Sequence, residues 1–204
     1  MLDPSLKPRA AFEGVWRAGR YGHSDGPAGV LMRELVGLAL VTVIARSHLS
    51  AGLRDAVRNA FACELSNGPG ATRAGDIQFL WCGPYTWLAR AEAQLVPNLI
   101  ERLVKAIGRH AALTNQSDGR AVVRLSGIRA RDSLAKLCGI DLHPRSFGCD
   151  SVALTNIAHL SGVIWQVDET PTYEISVFRS FAIHLYEGII TASAEFGCEV
   201  LAQK

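Results

Sequence analysis

From residue 30 onward, apolar residues fall into short blocks separated by glycine, proline and small polar residues, and the spacing in each block predicts its type. Positions 35–45 form an uncharged run rich in Val, Leu and Ile, which predicts a strand over 35–46 buried on both faces. Ser47 or Ser50 then caps a helix to about residue 62, with Leu49, Leu53, Ala56, Val57 and Ala60 on one stripe. The glycine-proline segment 67–70 is a loop, and strands over 76–82 and 86–91 turn around Gly83-Pro84. A helix over 94–108 follows, with Leu95, Leu99, Leu103 and Ile107 aligned and Pro97 in its first turn.

The second half repeats the scheme. Strands over 111–115 and 120–125 flank Ser117-Asp118-Gly119, which reads as a hairpin turn. A helix over 128–137 ends before Gly139. Strands over 152–160, 163–167 and 173–177 are divided at Ser161-Gly162 and Thr170-Pro171, and a last helix runs from about 180 to 196, stopped by Gly197. The spacing predicts an α+β fold of duplicated βαββα, ferredoxin-like halves sharing one sheet-plus-helix layer, within a single domain over 30–204. Residues 1–29 lack a periodic face but carry Phe12, Trp16 and Tyr21. They read either as a disordered tail or as an extended arm whose rings anchor on another subunit; tails are aromatic-poor, which favours the arm.

The remaining chemistry mostly excludes. The chain has 204 residues, 49% apolar and 20% charged, as in ordinary globular domains. Net charge is +2 with no like-charged block, which argues against nucleic acid as a partner. The longest apolar run is eleven residues, too short for a bilayer, which takes about 18–20. No apolar stretch follows the early charges as a secretory signal would require, so a cytoplasmic protein is expected. Five cysteines with no close pair fit reduced thiols.

There is no phosphate loop, no His-x-x-x-His or Cys-x-x-Cys pair, and no Gly-x-Ser-x-Gly. Cys138, His143 and Cys149 fall close together, but zinc spacing is usually tighter and a fourth ligand would come from afar, such as Asp141 or His159; buried thiols beside a loop histidine is the simpler reading. Pro144 holds His143 and Arg145 in an extended loop, where Arg145 either pairs with Asp141 or contacts a partner. Arg129 and Arg131 open a helix against its dipole, as solvated side chains or by reaching carboxylates or phosphates elsewhere. Trp81, Trp87 and Trp165 read as core.

Val123-Arg124-Leu125-Ser126-Gly127, Arg129-Ala130-Arg131-Asp132, Leu134-Ala135-Lys136 and Asp141 to Phe147 form one contiguous signature. It resembles the gamma subunit family of heterotetrameric sarcosine oxidase. The turn Trp81-Cys82-Gly83-Pro84-Tyr85-Thr86-Trp87-Leu88, the pair Tyr173-Glu174 with Arg179-Ser180-Phe181-Ala182, and Ala194 to Gly197 are similar to other family segments. Tyr85 departs from the acidic residue common at its position.

The resemblance implies a fold like the folate-binding domain of the glycine-cleavage aminomethyltransferase. It also implies a non-catalytic structural subunit in a complex that demethylates sarcosine and passes the one-carbon unit to tetrahydrofolate. Alpha, beta and delta subunits would be the partners. FAD, FMN, NAD, tetrahydrofolate and zinc would reside in them, with no cofactor, metal or catalytic residue in this chain. Candidate interface residues are Phe12, Trp16, Tyr21, Arg131, His143 and Arg145. The alternatives are the small subunit of a related N-methyl amino acid dehydrogenase, such as N-methylglutamate dehydrogenase, or a stand-alone folate-binding one-carbon protein for which Glu174 and Asp168 are the available acids.

Overall fold

In the computed structural model, residues 9–46 and 51–203 are described. The elements in chain order are β1 (Gly19–Tyr21), β2 (Val30–Glu34), β3 (Leu38–Ala45), α1 (Ala51–Phe61), β4 (Ala71–Ala74), β5 (Ile77–Gly83), β6 (Thr86–Glu92) and α2 (Leu99–Ile107). They continue with β7 (Ala111–Asn115), β8 (Arg120–Ser126), α3 (Ala130–Ala135), β9 (Val152–Ile157), β10 (Leu160–Asp168), β11 (Thr172–Phe178), α4 (Ala182–Ser193) and β12 (Cys198–Val200). Short 3-10 turns flank α4. The two serines weighed as caps for α1 lie outside the described residues.

The strands form two sheets, not the single layer expected from the sequence. One has the order β4-β5-β6-β3-β7, the other β9-β10-β11-β8-β2-β12-β1. The halves correspond strand for strand, β3 with β8, β5 with β10, β6 with β11 and β7 with β12; the first has the 4-1-3-2 order of a ferredoxin-like unit, and the second has that order with β2 inserted between β12 and β8. The second sheet differs by taking in β1 from the N-terminal segment and β2 directly after it.

Alternation along the strands makes both faces of each sheet apolar. On β3, Val41 and Val43 join Leu53, Val57, Phe79, Leu99 and Leu103 in a core under α1 and α2. On β8 and β11, Val123, Leu125, Tyr173, Ile175 and Val177 join Leu134, Leu185 and Ile189 under α3 and α4. The opposite parity supplies Leu40, Leu80, Leu88, Val122, Val163 and Trp165, packed between the sheets. The result is four layers, helix-sheet-sheet-helix. Ser133 and Ser193 share a buried hydroxyl contact of 2.6 Å that ties α3 to α4.

Three local expectations are corrected. β7 and β8 do not pair: β7 lies against β3 and β8 against β2 and β11, so the turn at 116–119 crosses between sheets. Its Ser117 hydroxyl accepts the Leu40 N–H at 3.0 Å, which holds the crossing point. The β9–β10 turn is Ala158-His159, not Ser161-Gly162; both residues take positive φ, 50° and 66°, the geometry of a two-residue hairpin. Finally, α2 begins at Leu99, because Asn98 sits at φ 55° and cannot continue a helix from Pro97.

Candidate functional site

The signature segment folds as one surface. β8 delivers the chain to Gly127, which has φ 111° and where an added Cβ would lie 2.5 Å from the Gly29 carbonyl oxygen, so no side chain fits. The short α3 then presents its cations. Arg129 pairs with Asp132 at 3.1 Å and lies 4.4 Å from the Phe196 ring. Lys136 stands equally close to that ring, donates to the Ala192 carbonyl at 2.9 Å and pairs with Glu195. Arg131 donates through Nε to the Tyr173 hydroxyl at 3.0 Å. The fully buried Tyr173 ring stacks on Phe147 at 6.4 Å, and burial raises its phenol while Arg131 opposes the rise.

Leu142 and Phe147 sink into the core and pin the loop between them. Its Asp141 carboxylate accepts the Ser146 hydroxyl at 2.6 Å and the His143 N–H at 2.9 Å, which holds it below the usual carboxylate range. The Arg145 N–H donates to His143 Nδ1 at 3.2 Å. Asp141 is therefore engaged by its own loop rather than by Arg145. His143, Pro144 and Arg145 are exposed, as is Ile128 at 83%. This is a preformed polar surface with an apolar member, suited to contact.

A second constellation lies between the sheets. Glu174 on β11 is fully buried. Arg124 on β8 reaches it through Nε at 3.0 Å and through Nη2, and Arg90 on β6 of the other sheet reaches it at 3.1 Å. Arg90 also lies 5.9 Å from the Trp165 ring, and burial lowers its pKa against the pull of Glu174. One carboxylate thus clamps the two sheets together through two guanidinium groups. Asp168 accepts the Thr170 hydroxyl at 2.7 Å and serves its turn.

The thiols are not poised for chemistry. Burial raises the pKa of all five, Cys82 and Cys198 to about 11, opposite to what a nucleophile needs. Cys138 donates to the Leu134 carbonyl and Cys149 to the Val167 carbonyl, so with the exposed His143 they form no ligand set. Among the described residues no three His, Cys, Asp or Glu gather as a metal site.

The aromatic candidates lie elsewhere. Phe12 is fully buried in this chain's own core, packed edge-on against Trp16 at 5.3 Å. That placement corrects its reading as an anchor on another subunit, because the ring keeps no free surface. Trp16 donates to the Leu201 carbonyl at 2.8 Å and lies 5.5 Å from Tyr186, whose hydroxyl meets that of Tyr21 at 3.3 Å. The backbone here is pinned by Glu34, which accepts the Ala11 N–H, and by Arg179, which donates to the Ala10 carbonyl. Phe12, Trp16 and Tyr21 are thus one group, and Arg131, His143 and Arg145 another. Arg90 was missed in sequence; its signal was a charge in step with the inward-facing Leu88 of an apolar strand.

The family model described as "Sarcosine oxidase, gamma subunit family" matches residues 48–195. Sarcosine oxidase subunit gamma of Corynebacterium sp. (strain P-1) is 35% identical over 206 aligned positions, 99% of this chain and 98% of that one. Among solved structures, the heterotetrameric sarcosine oxidase of Corynebacterium sp. U-96, in complex with pyrrole 2-carboxylate, matches with TM-score 0.75 and 27% identity over 86% of this chain and 88% of that chain. The glycine cleavage system aminomethyltransferase T of Bartonella henselae matches with TM-score 0.62 and 13% identity over 85% of this chain and 48% of its own length, a likeness of fold alone.

Proposed function

The chain belongs to the sarcosine oxidase gamma subunit family, and from that premise we propose that it works as the structural, non-catalytic gamma subunit of a heterotetrameric sarcosine oxidase. The observation that carries this is the U-96 match, which extends over most of both chains. The internal chemistry agrees: burial raises the thiols, and the fully buried carboxylate of Glu174 is spent on two arginines.

In this reading residues 30–204 act as one domain with internal duplication. Arg131, His143 and Arg145, with the half-exposed parts of Trp16 and Tyr21, face partner subunits. Those partners are the alpha, beta and delta chains. They carry FAD, FMN, NAD, tetrahydrofolate and zinc, and the complex works in the cytoplasm. No helix among the described residues is long and apolar enough to cross a membrane.

The stand-alone folate-binding reading is weaker on a specific ground. Glu174, the acid it would turn toward a pterin, is sealed between the sheets, and Asp168 holds a turn. Co-expression of the tagged chain with the genes beside it tests the proposal. The expected product is a complex several times the mass of this chain with flavin absorbance near ~450 nm. A colourless lone chain that binds tetrahydrofolate on titration would refute it.

A further inference from the structure

We propose that the part of the seven-stranded sheet overhanging the five-stranded one, centred on Arg33 and Arg124, docks a carboxylate-bearing segment of a partner subunit; this rests on the reading of the chain as a subunit. Seven strands cannot be covered by five. The apolar layer between the sheets draws its buried members from β3, β5 and β6 on one side and from β8, β9 and β10 on the other. β1, β12 and β2 contribute none. Their helix-side residues Val30, Met32, Cys198 and Val200 are buried, so alternation places Leu31, Arg33 and Glu199 on the opposite face, beyond the inter-sheet core, where Leu31 and Arg33 are half-buried and Glu199 is exposed.

That face has an unresolved charge problem. Arg33 on β2 stands directly opposite Arg124 on β8, which stands opposite Glu174 on β11. Like charges in a cross-strand pair repel. Glu174 cannot relieve both, because Arg124 and Arg90 already share it. Glu34 points to the other face, where it accepts the Ala11 N–H. Glu199 lies opposite Arg20, whose guanidinium donates to the His23 carbonyl. Glu92 lies near Arg90 on the far side of the cluster. Arg33 has no ion pair or hydrogen bond among the described residues.

An arginine pair kept in repulsion on an open sheet face is matched by an acidic group arriving from outside. Its planar forks suit carboxylate oxygens, and its distance from the helices leaves the face free to be covered.

The proposal makes two quantities move in opposite directions. Arg33→Glu converts the repulsive pair into an attractive one, so the purified chain unfolds at the same or a higher temperature. The same variant meets partner carboxylates with the wrong sign, so its affinity for the other co-expressed oxidase subunits falls by roughly tenfold or more, most steeply at low salt. Arg33→Gln falls between wild type and Arg33→Glu in affinity. Lys105→Glu, on the exposed face of α2, leaves affinity unchanged. Wild-type assembly is measured alongside: if it fails, the subunit reading fails. If wild type assembles and Arg33→Glu binds as well as wild type, or loses affinity only together with stability, the docking inference alone is overturned.

Discussion

Replacing Glu174 tests whether the two sheets are clamped electrostatically. Its carboxylate is fully buried, Arg90 is 15% exposed at the side chain and Arg124 is 38% exposed. Glu174→Ala leaves Arg90 without its main counter-charge in a place already lowering its pKa by burial. Breaking a buried pair from one side costs about 3–5 kcal/mol, largely the penalty of the stranded charge. The Arg124 share is smaller, since a guanidinium more than a third exposed is stabilised by water and screened by salt. Arg90→Met should therefore cost less than Glu174→Ala, because Glu174 keeps its two contacts from Arg124. The double variant Arg90→Met, Glu174→Leu removes charge and partner together and should recover most of the loss, since apolar replacements of buried pairs are often neutral. Urea unfolding followed by the fluorescence of Trp165, 5.9 Å from Arg90, reads all three. A Glu174→Ala cost below about 1 kcal/mol, or a double variant no better than that single one, would refute the clamp.

Phe12→Ala should destabilise the isolated chain by about 3–5 kcal/mol, because the ring is fully buried; weakened assembly with an unchanged melting temperature would contradict its place in the core. Gly127→Ala should cost at least about 1–3 kcal/mol and loosen β2 from β8, since its Cβ would sit 2.5 Å from the Gly29 carbonyl at φ 111°; backbone hydrogen exchange across those strands is the readout. Burial raises Cys82 and Cys198 from 9.0 to about 11 in the fold, so the unfolded chain releases these protons first as pH climbs. Stability should be intact below pH 9 and decline toward pH 11 by about 2–3 kcal/mol per thiol, and a Cys82→Val, Cys198→Val variant should flatten urea midpoints over that window.

What was legible in the sequence followed from periodicity. Leu53 and Val57, or Leu99, Leu103 and Ile107, mark helix faces by their spacing and are buried as expected, whereas Ala60 at the end of one stripe and Leu95, ahead of α2, are exposed. The strand 35–46 was legible as two-faced because Leu40 and Val41 are both apolar, and each faces a different core. Pairing was not legible. β7 and β8 are joined by a turn that resembles a hairpin, yet their partners are set by Val43 meeting Leu113 and by Val123 meeting Ile175, residues far apart in the chain. The Ala158-His159 turn carries no glycine or asparagine, so its left-handed backbone left no local mark, and Ser161-Gly162 nearby gave the stronger one. In the candidate surface, Pro144 made the projecting loop readable. The buried ends Leu142 and Phe147 that fix it depend on contacts with distant strands.

The N-terminal segment was the least legible part, and its packing bears on function. Phe12, Trp16 and Tyr21 lack a periodic face because each is held by a different distant group, respectively the core under α4, the Leu201 carbonyl and Tyr186. Ordered this way, the segment adds β1 to one sheet only, the sheet that also takes in β2 directly after it. Two halves of common design thereby become unequal, five strands against seven. Equal sheets would bury each other and close the molecule. Unequal ones leave β1, β12 and β2 beyond the inter-sheet core, and there Arg33 stands opposite Arg124 in the register. A chain whose task is to be built into a larger assembly needs such a surface, stable enough to fold alone yet improved by a partner. β1 from that segment and β2 directly after it thus make the chain asymmetric, and asymmetry gives a duplicated scaffold a single orientation in which to dock.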